Sequence, residues 1–266
     1  LFIMCDDHAA QAMSCYGSRI NQTPQIDRIA AGGMLFENCF CTNSICTPSR
    51  AAILTGTYNH VNGVTTIDTH WDNTQPTYAG LMRAAGYQTA IFGKWHLGQG
   101  PAHCPRGFDD WCVLPGQGDY HDPRMVGPEG DRAHEGYVTD IITDYCERFL
   151  RERDPERPFA LMCHHKAPHR HWEPAERHRD WYAEVDIPVP ETFFDDYATR
   201  SQATKAVHMR IAEHMQDLID LKAEPPAGLS EREQALWRYQ RYIKDYLRCV
   251  QSVDESTGRL LDLLDE

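Results

Sequence analysis

"QTAIF", Gln88 to Phe92, is a largely apolar run of strand length between Gly86 and Gly93, and Gly93-Lys94-Trp95-His96 follows it at once. Such a run before a turn-forming glycine predicts a buried strand that passes its next residues to a loop. Two other runs share this pattern. "LFIMC" at 1–5 leads into Asp6-Asp7-His8, and "FALMC" at 159–163 leads into His164-His165-Lys166-Ala167-Pro168-His169. Helical patterns lie between them. "TPQIDRIAAGG" has Pro24 near its start and glycines at its end, "TYAGLMRAAG" stops at Gly86, and "GYVTDIITDYCERFLRER" repeats apolar positions at helical spacing. Strands alternating with helices predict an α/β fold with a mostly parallel central sheet flanked by helices.

The region 187–228 contains "PVPE" and "EPPAG" and lacks periodicity, which predicts a loop-rich excursion. From Ser230 onward the pattern is helical, opened by Ser230 and Glu233 at capping-box spacing, with a break expected near Gly258. The sequence ends on that helix where an alternating chain would supply another strand, so the sheet is expected to be incomplete at the C-terminus. Residues 1–266 read as one large, truncated domain.

With 266 residues and 41% hydrophobic content the chain can bury one substantial core. It carries 26 Lys and Arg against 39 Asp and Glu, a formal charge of −13, with no dense basic block. Nucleic acid and anionic membrane surfaces are therefore excluded as main partners, and no run reaches the length of a membrane span. An anionic small substrate would require cations and metals concentrated in one cleft. The first residue is Leu1 rather than Met, so the natural start and any targeting segment are expected upstream. Ten scattered cysteines without paired C-x-x-C motifs argue against a full disulfide framework and leave room for one or two bridges.

In open α/β sheets ligands bind at the carboxyl ends of strands, and all three strands deliver polar chemistry there. A fourth segment, "SICTPSRAAILTG" from Ser44 to Gly56, reads as a short helix with Pro48 at the first helical position, Thr47 as cap and Gly56 as stop. Cys46 then lies at the helix mouth, where unpaired N–H groups and the positive dipole end gather and suit an anion. Adjacent Asp6 and Asp7 repel unless a cation binds them, and carboxylate oxygens suit a hard divalent ion. Read alone, one of the pair would cap the next helix, and Lys94 with His96 would be a surface pair.

Together these segments resemble the sulfatases of the alkaline-phosphatase-like superfamily. "CTPSR", Cys46 to Arg50, matches the signature C-x-P-S-R. "GYQTAIFGKWH", Gly86 to His96, matches the second signature, with Phe92 bulkier than usual, and "APH" at 167–169 resembles the later histidine motif. The resemblance implies that a separate formylglycine-generating enzyme oxidises Cys46 to Cα-formylglycine, with Pro48 and Arg50 in its recognition sequence. One hydroxyl of the hydrated aldehyde would attack sulfur, and the second would lose its proton so that sulfate is eliminated, which a serine could not do. Asp6, Asp7 and the modified Cys46 would hold the metal, calcium being favoured and magnesium the alternative. Arg50 would hold the diol and balance the carboxylates, and Lys94 would bind a sulfate oxygen. His96 would be the base, and His169 would contact sulfate and protonate the leaving oxygen. His164 and His165 are read as shaping their loop and His60 as structural. A second metal pair and another substrate-binding lysine are expected beyond Glu266; Asp254 and Glu255 sit in a helical pattern and are not recruited.

Residues 107–123, "GFDDWCVLPGQGDYHDP", resemble the corresponding region of bacterial enzymes that remove 6-sulfate from N-acetylglucosamine in glycosaminoglycans. The implied substrate is a sulfated carbohydrate, with glucosamine 6-O-sulfate first among candidates; Trp71, Trp111, Tyr120 and Trp172 are candidates to face the sugar, core packing being the commoner role of such residues. Family habit implies a periplasmic or secreted location. The competing readings are a phosphonate or phosphodiester monoester hydrolase on the same scaffold, and a catalytically silent fragment.

Overall fold

The computed structural model describes residues 1–266. Its six-stranded sheet comprises β1 (Phe2–Met4), β2 (Gln88–Lys94), β3 (Asp110–Leu114), β4 (Arg124–Gly127), β5 (Gly130–Ala133) and β6 (Phe159–His164), in the order β1-β6-β2-β3-β4-β5. The first four strands in that order are parallel, and β4 and β5 extend the sheet antiparallel. The three strands expected from the apolar runs are present within a residue or two of their predicted limits. The strands β3, β4 and β5 were not anticipated.

Side chains alternate across the sheet, and in its central strands β2 and β6 both faces are buried. Phe92, Leu161 and Cys163 pack into one cluster with Ile142, Val250 and Val253, while Ile91 and Met162 join Ala51, Leu54 and Trp71 in the other. The helices supplying these layers are α2 (Cys46–Thr55), α5 (Val138–Glu152) and α9 (Glu231–Asp265). They are accompanied by α1 (Pro24–Gly32), the single turn α3 (Asn59–Asn62) and α4 (Tyr78–Ala84). The excursion at 187–228 is not only loop: it contains the one-turn helices α6 (Gln202–Lys205), α7 (Ile211–His214) and α8 (Asp217–Asp220). All ten cysteines are free thiols.

The long helix α9 opens with the expected Ser230–Glu233 capping box but runs unbroken through Gly258. The glycine serves packing rather than a break. A Cβ at 258 would lie 2.7 Å from Gln25 Cγ, so glycine lets α1 approach α9 closely. An interior glycine costs a helix only about 1 kcal/mol, which 35 residues of packed helix absorb. From the same stretch Asp254 Oδ1 accepts the Gln25 and Ile26 backbone N–H groups at 3.0 and 2.8 Å. It thereby caps α1, whose own N-cap residue Thr23 makes no side-chain cap.

The registers bring the chemistry together. Met4 and Gly93 both lie opposite His164, so the ends of β1, β2 and β6 meet at one edge. Gly93 has φ +104°, and a Cβ there would lie 2.0 Å from the His164 carbonyl oxygen. Only glycine fits this point, where β2 presses on β6 just before delivering Lys94. Gly93→Ala is expected to lower stability by about 3 kcal/mol, combining a strained φ with a backbone clash. A fall in the denaturant midpoint at unchanged m-value would register this, and an unchanged midpoint would contradict it.

Candidate active site

Asp6, just past β1, is the buried centre of the cluster. Its Oδ2 accepts Arg50 Nη2 at 3.0 Å and Lys94 Nζ at 2.5 Å. Burial alone would push the carboxyl pKa up, but Arg50 and Lys94 overcome that and hold it at about 2. The other oxygen, Oδ1, faces Cys46 Sγ at 3.7 Å. Arg50 is itself buried and also donates through Nη1 to the Lys94 carbonyl, with His164 Nδ1 3.3 Å away. Lys94, wholly buried at the end of β2, places Nζ 2.5 Å from Gln117 Oε1 as well.

The mouth of α2 differs in detail from its expected form. The helix starts at Cys46 with Ile45 as its N-cap, so Pro48 is the third helical residue, where its missing N–H still falls among the unpaired ones. Thr47 does not cap; its Oγ1 donates to the His96 carbonyl at 3.0 Å and ties the helix start to the loop after β2. Gly56 ends the helix as expected, at φ 65°. Burial and the Asp6 charge push the Cys46 thiol pKa up, outweighing Lys94 and Arg50. Residue 46 is therefore a protonated thiol, not a thiolate nucleophile.

Two histidines flank the group. His96, at φ 52°, leaves its buried Nδ1 without a partner. Burial, with Lys94 and Arg50, pushes its pKa down to about 4, so it is neutral near neutral pH. His169 faces the Arg170 carbonyl through Nδ1 at 2.7 Å, which assigns the proton to Nδ1 and leaves Nε2 as a lone pair 3.7 Å from Asp7 Oδ2. Burial and Lys94 also lower the His169 pKa. One ligand atom each from Asp6, Cys46 and His169 falls within a mutual 4.8 Å. Asp7 stands at the exposed rim with φ 63°, and its carbonyl accepts the Tyr246 hydroxyl of α9 at 2.8 Å.

The loop histidines separate. His164 braces Arg50, whereas His165 points at α9, with Nε2 3.4 Å from Cys163 Sγ and 3.1 Å from Ser256 Oγ. His60 is exposed and stacks on Tyr58. Trp71, Tyr120 and Trp172 are packed in the core, with exposures of 1, 2 and 5%. Of the two readings open to them, these three take core packing and leave no free face for a sugar; Trp111 lines a separate groove beside Val126 and Pro128.

Gln117 and Lys166 belong to the site and were not singled out from sequence. Lys166 is buried and donates to the carbonyls of Gln117 and Arg170, both at 3.3 Å, with Nζ 4.8 Å above the Tyr120 ring. Burial and then Lys94 push its pKa down to about 8. Its place inside "HHKAPH" was the only available signal. The excursion is also anchored here. Asp220 of α8, fully buried, accepts Arg170 Nε and Nη2 at 2.7 and 2.5 Å, the Gln216 N–H at 2.8 Å, and lies 2.9 Å from His171 Nδ1. Against a burial effect that would raise it, these partners hold the Asp220 pKa at about 2.

Asp220→Ala leaves Arg170 and His171 without their buried anion and is expected to cost about 3–5 kcal/mol. Because the folded-state pKa is depressed, the parent keeps this contribution above the ordinary carboxylate range and loses it as pH falls toward 2. The stability gap between parent and variant should therefore shrink from pH 7 to pH 3 in urea titrations. A pH-independent gap would refute the charge pairing.

A family model described as Sulfatase matches residues 1–266. The chain is 40% identical over its whole length to an N-acetylglucosamine-6-O-sulfatase of Bacteroides thetaiotaomicron, covering 54% of that protein. It is 33% identical to the human N-acetylgalactosamine-6-sulfatase, over 60% of this chain and 37% of that one. It also superposes, at TM-score 0.93 and 39% identity, on a solved structure in complex with its substrate D-glucosamine-2-N,6-O-disulfate, covering 99% of this chain and 61% of that one. The chain thus spans about half the length of the bacterial relative.

Proposed function

Since the chain belongs to the sulfatase family, we propose that the Asp6 cluster is the sulfate-handling half of a sulfuric ester hydrolase acting on a sulfated carbohydrate. The leading substrate is glucosamine 6-O-sulfate of a glycosaminoglycan, in keeping with the bacterial relative named N-acetylglucosamine-6-O-sulfatase. Residues 1–266 would form the N-terminal part of the catalytic domain. The observation that carries the reading is the convergence of three separate segments, the end of β1, the start of α2 and the end of β2, at one carboxylate: Cys46 Sγ lies 3.7 Å from Asp6 Oδ1, while Arg50 and Lys94 occupy Oδ2.

The residues fit the two groups the family uses. Asp6 is ionised down to a pH of about 2 and keeps Oδ1, which faces only the Cys46 thiol, clear of both cations, and Asp7 stands beside it, so both can serve a hard divalent cation, calcium or magnesium. Cys46, with its thiol protonated and half-buried at the rim of α2, would be converted to Cα-formylglycine by a formylglycine-generating enzyme before use. When bound, the cation and the hydrated aldehyde supply an oxygen nucleophile at neutral pH.

The chain's own groups then have distinct work. Lys94, freed from Gln117 and shared with Asp6, donates Nζ to a sulfate oxygen as charge builds there. Arg50 holds Asp6 in place from below, braced by His164. Neutral His96 offers its unpaired Nδ1 as acceptor for the proton of residue 46. His169 is neutral in the free site; an arriving sulfate offsets the repulsion from Lys94, raising the proton affinity of Nε2 so that it can protonate the leaving oxygen. No helix is long and apolar enough to cross a membrane, and a periplasmic or secreted location accords with family habit.

The test uses the full-length gene product co-expressed with a formylglycine-generating enzyme. Intact mass should show conversion at residue 46, and Cys46→Ala should abolish sulfate release with folding unchanged; parental turnover in that variant would overturn the assignment. A faster reaction with an aryl phosphonate than with an aryl sulfate would redirect the substrate class. Because His96 must be neutral and its pKa is pushed down to about 4, the acid limb of kcat/KM should set in only as pH drops toward that value. His96→Gln should remove about two to four orders of magnitude of rate, the usual contribution of one acid–base group.

A further inference from the structure

Beside Lys94 and His169 the surface opens into a cleft of about 610 Å³, within the range of about 300–1,000 Å³ for small-molecule sites. No hydrophobic side chain lines it; Gln117, Asp119, Arg170, His171 and Gln216 do. Two residues join the cleft to the catalytic cluster. Gln117 touches Lys94 Nζ at 2.5 Å, and His169 belongs to both.

The walls mix donors and acceptors. Asp119 contributes a carboxylate, Gln117 and Gln216 contribute amides, and Arg170 keeps Nη1 free of its Asp220 clamp, with only the Met209 sulfur 3.7 Å away. A sugar ring presents hydroxyls that both donate and accept, so it matches this lining, whereas an aromatic ring would leave these groups unpaired. The lining is also preorganised. Lys166 ties the Gln117 and Arg170 backbones together, and buried Asp220 fixes Arg170 and His171 from the far side. Little ordering cost would remain for a ligand to meet. The core-packed aromatics leave stacking to no one here, so hydrogen bonding must supply the selectivity.

We propose that this cleft seats the sugar ring whose sulfate reaches Lys94, with Asp119 and Gln216 as specificity-determining residues. The excursion, read from sequence as irregular, then has a job: its 216–220 stretch forms one wall of the substrate site. The proposal rests on the sulfatase reading above but is tested apart from turnover.

In the full-length product carrying Cys46→Ala, which has neither a thiol to convert nor a hydroxyl to attack sulfur, titration calorimetry would compare glucosamine 6-sulfate with inorganic sulfate. Asp119→Ala and Gln216→Ala, each verified as folded by circular dichroism, should weaken the sugar sulfate at least tenfold more than they weaken sulfate, and Asp119→Asn should recover part of the loss. Equal weakening of both ligands, unaltered sugar binding in both variants, or no sugar binding by the Cys46→Ala parent would overturn the proposal. Should the converted enzyme hydrolyse no sulfate ester, the hydrolase reading fails, and the affinity ratio still decides the cleft.

Discussion

The whole site depends on one buried carboxylate held between two cations. Asp6 sits between Arg50 and Lys94, which are themselves buried, and none of the three charges tolerates the interior alone. Their sum is one positive charge in a protein whose formal charge is −13. A local excess of this kind would draw a sulfate ester inward against the overall field, because a desolvated charge at contact distance outweighs screened charges on the far surface. The arrangement also sets what each neighbour can do. Burial, reinforced by the carboxylate, keeps the Cys46 thiol protonated, and burial together with the cations keeps His96 neutral.

Geometry around Asp6 is enforced from elements far along the chain. Tyr246 of α9 donates to the Asp7 carbonyl and accepts the Ala9 N–H, spanning the turn that follows β1 from behind. That turn includes the positive φ at Asp7, a strained position that persists because both its flanks are tied down. Arg50 reaches the same centre from α2, whose first turn is fixed to the loop after β2 by Thr47. The acidic pair is therefore adjacent in sequence but divided in role: Asp6 is buried and charge-paired, while Asp7 remains at the rim beside His169.

What the sequence made legible follows from how local each signal is. The strands β2 and β6 are buried along most of their length and the half-exposed edge strand β1 is apolar throughout, so all three appear as apolar runs, and the chemistry at their carboxyl ends could be read off directly. The strands β3 to β5 carry Asp110, Arg124, Asp131 and Arg132 because they lie toward the exposed edge, and β5 is exposed throughout; their pattern resembles a loop. Gly258 looked like a stop because its partner, Gln25, is distant in sequence. Thr47 looked like a cap, and Trp71, Tyr120 and Trp172 like sugar platforms, because local pattern cannot say what a side chain faces. Gln117, Lys166 and Asp220 acquire meaning only through contacts made across loops.

The same Lys94 charge that would bind sulfate lowers the proton affinity of His96, His169 and Lys166. In the free site this coupling keeps proton acceptors unprotonated, which suits a base but not an acid. An entering sulfate ester would partly neutralise Lys94, and the effect would depend on surroundings: His169, facing the polar cleft and the rim carboxylate Asp7, would gain a proton most readily, whereas His96 would still feel Arg50. In the proposed reaction, base and acid would thus be distinguished by where the substrate's charge arrives, not by residue type. Burial and one buried ammonium together would poise two histidines for opposite proton transfers, provided that Asp6 holds the ammonium in place.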